Sequence, residues 1–290
     1  MKEFSYERPE SLDDALRLLA ASGSEVEVLA GGTDLVIAMR DGQSQPKVVV
    51  DLKRITEFYP SLMWAGDTVT LSATATMAET VDDEGINKHF PALAEAAVVV
   101  GSVQIRNRAT LLGNICNGSP AADTAPPLLA YDAIIVVAGP DGTRRVEIDE
   151  FIVGPGRTAL QDGEIAVALE LRLPSRPLGS AYERMTRRKG TDLASVTLCA
   201  TVDDAGITRV AFGSVGPRAW LRTDESGVLA DPDASDEAKA AVFEEIFADA
   251  TPSVRSLRAS PDYRRAMLRV LGARAVRRAL RRLQELQGVS

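Results

Sequence analysis

The sequence has 290 residues, 45% of them apolar and 26% charged, with 33 basic against 41 acidic side chains and a formal net charge of −8. That is the composition of a globular chain with a sizeable core, long enough for about two domains. The acidic balance argues against general binding to nucleic acid or to anionic membrane surfaces, and no run approaches the ~18–20 unbroken apolar residues of a membrane span. Two cysteines without CxxC spacing, Cys116 and Cys199, exclude a disulfide scaffold and an iron–sulfur cluster held by this chain alone. The single histidine, His89, argues against a histidine-rich metal site and an ordinary Ser-His-Asp enzyme. The N-terminal residues Met1 to Tyr6 form no apolar signal region, so a cytoplasmic location is expected.

Ser11 followed by Leu12, Ala15, Leu16 and Leu19 predicts a capped amphipathic helix that stops at Gly23. Val26, Val28 and Leu29 alternate with glutamates as a short strand. That strand runs into Ala30-Gly31-Gly32-Thr33-Asp34-Leu35, and a helix carrying Val36, Ile37 and Met39 follows. Residues 47–52 read as a buried strand, so the first ~55 residues resemble a βαβ-like unit with a glycine turn. Further strands are expected at residues 69–75, 134–137 and 165–173, and a helix at residues 91–100. Residues 101–123, with four glycines or prolines and three asparagines, read as a long ordered loop, a kind of segment that usually carries function. Residues 198–202 and 207–215 pattern as a hairpin. Ser235 caps an expected helix, and residues 263–286 show apolar side chains at helical spacing. Pro174 to Gly179 interrupts the pattern and marks the expected boundary between two units.

Two loops carry the candidate chemistry. The paired glycines Gly31 and Gly32, between a strand and a helix, let backbone N–H groups approach a ligand closely, as a phosphate or pyrophosphate requires. Taken alone this is also an ordinary tight turn, being neither GxGxxG nor a Walker loop. The second loop, Thr110-Leu111-Leu112-Gly113-Asn114 followed by Asn117, Gly118, Ser119 and Asp123, mixes donors with one carboxylate, which suits a polyol or ribose phosphate. The alternative is a solvated loop whose polar side chains satisfy its own turns. Cys116 and Cys199 read as packed thiols and His89 as structural. The arginines Arg264, Arg265, Arg269, Arg274, Arg277, Arg278, Arg281 and Arg282 read as a solvated helix face, the alternative being a dock for a partner subunit.

Together these loops carry a family resemblance. AGGTDL at residues 30–35, QIRNRATLLGN at 104–114, SPAAD at 119–123, YERMTRRKGTDLA at 182–194, the hairpin ending GSVGPRA, and RSLRASPDYRRAML at 255–268 run in order along nearly the whole chain. The sequence resembles the FAD-binding (medium) subunit of the molybdenum hydroxylases, the xanthine dehydrogenase and carbon monoxide dehydrogenase family.

The resemblance implies an α+β fold, with a p-cresol methylhydroxylase-type FAD-binding domain over residues 1–176. Its two lobes would be residues 1–56 and 57–176, and a C-terminal antiparallel sheet with helices would occupy residues 177–290. It implies that Val28, Leu29, Ala30, Gly31, Gly32, Thr33, Asp34 and Leu35 wrap the FAD pyrophosphate. Thr110, Leu112, Gly113 and Asn114 would form a second phosphate and ribityl contact, and Asp123 would bond further along the cofactor. Val100 and Ile165 would lie near it, and Arg184 would stand where many bacterial relatives have lysine. Leu112 is a second departure, since the family usually has glycine there. The implied role is an electron-transfer subunit working with a large molybdenum-cofactor subunit and a small subunit carrying two 2Fe-2S clusters, in a dimer of heterotrimers. The external acceptor would be NAD, a quinone or oxygen. The rival readings are a stand-alone flavin oxidase and a non-catalytic nucleotide-binding module.

Overall fold

The computed structural model describes residues 1–288. In the first lobe the strand Val26–Leu29 and the strand Ser5–Glu7 both pair in parallel with the strand Val48–Asp51, which lies between them. The helix Leu12–Ser22, capped by the Ser11 hydroxyl, covers this sheet through Ala15 and Leu19, and the helix Leu35–Arg40 follows the glycine turn. The parallel βαβ expectation holds because Val49 and Val50 are buried in a central strand.

The second lobe is built on a five-stranded antiparallel sheet. Its order is Leu62–Ala65, Thr68–Ser72, Ile165–Arg172, Ile134–Gly139 and Gly142–Glu147. Residues 101–123 are not one irregular loop. They hold two short helices, Val103–Arg106 capped by Ser102 and Leu111–Cys116 capped by Thr110. Helices of four and six residues are too short to display an apolar period, and only their caps mark them in the sequence.

The third layer is a four-stranded antiparallel sheet in the order Leu178–Met185, Val196–Asp203, Thr208–Gly213 and Trp220–Asp224. Its two faces serve two cores. Tyr182, Cys199 and Ala211 join the large core of the first two lobes with Leu128 and Leu129 of the helix Ala125–Ala130. Leu198, Ala200, Val210 and Phe212 form a second core with Leu268, Leu271, Ala275 and Ala279 of the long helix Pro261–Gln287 and Phe243 of the helix Asp236–Ile246. With both faces covered, the strand Leu178–Met185 lacks the polar–apolar alternation that would have revealed it.

The arginine-rich helix is only partly a solvated face. Arg265, Arg269, Arg274, Arg277 and Arg281 are exposed, but Arg264 is 6% exposed and donates to Ser214 O and Ser256 Oγ. Arg278 donates to Glu95, Glu183 and Tyr182 O, and Arg282 donates to Glu95 and Ser180 O. Helical spacing puts 278 and 282 one turn apart on the face that meets the sheet.

That meeting is close. A Cβ on Gly179 would lie 2.0 Å from Ala279 O and 2.8 Å from Leu283 N, both rigid helix backbone. Gly179→Ala is therefore expected to destabilise the chain by about 1–3 kcal/mol through overpacking. Gly154→Ala, where a Cβ meets nothing within 4 Å, should be nearly neutral. Urea unfolding of the two variants against the unsubstituted chain checks this.

Candidate functional site

The residues singled out in the sequence gather where the first lobe meets the second. The turn after Val26–Leu29 abuts the backbone just before Thr110: a Cβ on Gly31 would sit 2.2 Å from Arg108 O and 2.9 Å from Ala109 Cα. Only glycine permits that approach. Gly32 has φ +79°, a left-handed conformation that costs glycine little. Among the described residues no backbone or side-chain acceptor takes the N–H of Gly31, Gly32, Thr33, Asp34 or Leu35, although most of these residues are half-buried. Half-buried N–H groups are seldom left without partners. A run of free N–H donors around a left-handed glycine suits anionic oxygens.

The turn is held from behind. Lys53 Nζ donates to Ala30 O at 3.0 Å and pairs with Asp51 Oδ1 at 2.6 Å, and Tyr6 Oη donates to Asp51 Oδ2. Burial alone would raise the Asp51 pKa, but the hydrogen bonds from Lys53 and Tyr6 outweigh it and hold the carboxyl below its usual value. Asp51 and Lys53 have no motif, and their role was invisible before the strand Val48–Asp51 was paired with Val26–Leu29.

In the second loop Thr110 Oγ1 accepts from Gly113 N at 3.1 Å, and a Cβ on Gly113 would lie 2.6 Å from that oxygen. The N–H of Leu112 has no acceptor among the described residues. Its side chain, 1% exposed, points into the core, so leucine in the usual glycine position puts no bulk into the groove. Thr124 Oγ1 donates to Asn114 Oδ1 at 2.7 Å, which fixes the Asn114 amide.

Asp123 is 8% exposed, and both its oxygens are engaged from the third layer. Tyr182 Oη donates to Oδ1 at 2.6 Å and Arg184 Nη1 to Oδ2 at 3.2 Å. Arg184 also donates to Val99 O at 3.1 Å, which brings it beside Val100. Burial raises the Asp123 pKa, and the Tyr182 and Arg184 donors offset part of that rise. Thus Thr110, Asn114, Asp123 and Arg184 are linked through backbone and side-chain bonds, with Val100 next to the Val99 carbonyl that Arg184 reaches. Ile165 lies apart, 2% exposed within the core, on the strand against which the helix Leu111–Cys116 packs.

Cys116 sits at the end of that helix, with burial pushing its thiol up to about 12. His89 lies against Trp64, with ring centroids 6.0 Å apart, and burial lowers its pKa. Neither is placed for proton transfer at the groove.

The donor set fits a dinucleotide cofactor, with unpaired N–H groups for the pyrophosphate and a buried carboxylate for hydroxyls. The comparisons name that cofactor. A family model described as the FAD binding domain in molybdopterin dehydrogenase matches residues 2–175, and one described as the CO dehydrogenase flavoprotein C-terminal domain matches residues 180–279. The chain belongs to this flavoprotein family. It is 30% identical over 281 residues to the xanthine dehydrogenase FAD-binding subunit of Escherichia coli O157:H7, covering 95% of this chain and 96% of that protein. It is 31% identical over 280 residues to the carbon monoxide dehydrogenase medium chain of Hydrogenophaga pseudoflava, with the same coverages of 95% and 96%. A solved structure of carbon monoxide dehydrogenase from Hydrogenophaga pseudoflava, in a form lacking the Mo-pyranopterin moiety of its molybdenum cofactor, superposes with a TM-score of 0.89. The sequences are 30% identical, and the match covers 97% of this chain and 98% of that one. The flavoprotein is therefore an oxidoreductase subunit of the molybdenum hydroxylases, with a two-lobed FAD-binding domain and a C-terminal antiparallel sheet.

Two outcomes are expected from this geometry. Gly31→Ala should weaken FAD binding by about tenfold or more, because a clash with rigid backbone must displace the turn; titration of the apo chain followed by flavin fluorescence reads this. Asp51→Asn should cost about 1–3 kcal/mol of stability at neutral pH by leaving buried donors unpaired. Since the folded pKa of Asp51 is depressed, that difference should persist down to the usual value of 3.8 and shrink as pH falls further through the folded value. Urea unfolding over the acid range checks it.

Proposed function

We propose that this chain is the FAD-carrying electron-transfer subunit of a three-part molybdenum hydroxylase. A large subunit would hold the molybdenum cofactor, and a small subunit with two 2Fe-2S clusters would deliver electrons to this one. The whole would form a dimer of heterotrimers and release electrons to an external acceptor, NAD, a quinone or oxygen. The chain itself would divide into residues 1–176 for the cofactor and 177–290 for the C-terminal unit.

The observation that carries this reading is the character of the groove. It is rich in groups that bind and poor in groups that react: five unpaired N–H groups and a tethered carboxylate, with the lone histidine at Trp64 and both thiols raised by burial. A self-sufficient oxidase needs an acid or base beside its substrate, whereas an electron carrier needs only to bind, orient and tune its cofactor. FAD, when bound, would supply the redox chemistry.

In this reading the backbone from Val28 to Leu35 holds the pyrophosphate, and Lys53 fixes that backbone by holding Ala30 O. Thr110, Leu112, Gly113 and Asn114 hold the second phosphate and ribityl region, Asp123 accepts from cofactor hydroxyls, Val100 and Arg184 border the ring, and Ile165 backs the helix Leu111–Cys116 from the core. The relatives' names, xanthine dehydrogenase on one side and carbon monoxide dehydrogenase on the other, support a substrate chosen in another subunit.

The test is the absorbance spectrum of the native complex purified through this chain, before and after acid precipitation. FAD in the supernatant, a broad iron–sulfur absorption and two co-purifying subunits are the expected result. Flavin without partners would favour a stand-alone flavoenzyme. No flavin even after incubation with excess FAD would overturn the proposal.

A further inference from the structure

Residues 180, 182 and 184 share one face of the strand Leu178–Met185, because side chains two apart on a strand point the same way. All three reach the flavin-binding lobes. Ser180 Oγ shares a hydrogen bond with Tyr131 Oη, Tyr182 Oη donates to Asp123 Oδ1 at 2.6 Å, and Arg184 Nη1 donates to Asp123 Oδ2 at 3.2 Å. A buried phenol requires a polar partner, and the partner of Tyr182 is the Asp123 carboxylate.

We propose that Tyr182 is a positioning residue for FAD, its hydroxyl holding the Asp123 carboxylate charged and aimed so that the remaining lone pairs accept from cofactor hydroxyls. The inference rests on the contact between Asp123 and FAD proposed above. An ionised carboxylate offers about four acceptor sites, so two bonds from the third layer leave capacity for a ligand. Burial works against the charge, since it raises the Asp123 pKa, and only Tyr182 and Arg184 oppose it. The other titratable groups nearby act on Tyr182 instead. Glu95, from the helix Pro91–Val98, accepts the Tyr182 backbone N–H at 2.9 Å, and Cys199 on the adjacent strand is opposite Tyr182 in the register. Without the phenol hydroxyl the carboxyl takes up a proton at higher pH and becomes a poorer acceptor.

FAD affinity of the full-length apo chain, titrated by flavin fluorescence from acid to neutral pH, tests this in Tyr182→Phe, Asp123→Asn and Ser180→Ala. Tyr182→Phe should weaken FAD binding about tenfold, the worth of one hydrogen bond to a charged group, and should raise the pH at which affinity is lost. Ser180→Ala removes a neighbouring bond on the same strand face, so it should lower thermal stability and leave both FAD readouts unchanged. Incorporating 3-fluorotyrosine at Tyr182, a nearly isosteric and stronger donor, should move the pH midpoint down and serves if Tyr182→Phe fails to fold. Wild-type affinity and pH profile in Tyr182→Phe, with binding weakened in Asp123→Asn, would overturn the positioning role alone. Equal losses in Ser180→Ala and Tyr182→Phe would also overturn it, since loosened docking would then explain both. Unchanged affinity in Asp123→Asn would overturn the contact with FAD and this inference with it.

Discussion

A β-strand offers two faces, and in the strand Leu178–Met185 both are committed. On one side Gly179 lets the strand backbone lie against Ala279 O of the long C-terminal helix, while Glu183 receives Arg278 from the same helix. On the other side Ser180, Tyr182 and Arg184 bond to Tyr131, Asp123 and Val99 of the second lobe. Glu95 closes the arrangement, taking the Tyr182 N–H together with Arg278 and Arg282. A displacement of this strand along its axis would break contacts on both faces at once. The C-terminal layer is thus a support that holds the Asp123 carboxylate of the second lobe.

The site itself shows a division of labour between backbone and side chains. The glycine turn supplies N–H donors that meet no acceptor among the described residues, an arrangement suited to an anion. Its shape is secured by contacts that carry no ligand chemistry, namely Gly31 against Arg108 and Lys53 on Ala30 O. The second loop follows the same division. Thr110 caps Gly113 and Thr124 orients Asn114. A cofactor that performs its own redox chemistry asks of a protein this kind of rigid, donor-rich cradle.

The departure at Leu112 illustrates how a local rule yields to packing. In a loop read as sequence, a leucine in place of a glycine threatens the ligand. In the fold the residue is second in a six-residue helix, and its side chain turns into the core with Leu111 and Ile115. The arginines of the last helix make the converse point. Eight of them on one helix suggest a solvated face, yet Arg264, Arg278 and Arg282 spend their charge inside the molecule. Burial of a guanidinium is governed by whether acceptors meet it, and Ser214 O, Glu95 and Glu183 lie far away in sequence.

The sequence by itself determined what depends on neighbours along the chain. The glycine turn between a strand and a helix, the caps at Ser11 and Ser235, the hairpin through Val196–Asp203 and Thr208–Gly213, and the order of family motifs are all local patterns. Only the tertiary structure decided the partners across long separations. Asp123 meets Tyr182 and Arg184 about sixty residues later, Ala30 meets Lys53, and Gly179 meets Ala279. Hydrogen bonding and close packing act over a few ångströms in space, so a residue with no motif, such as Tyr182 or Lys53, acquires its role only when the layers come together.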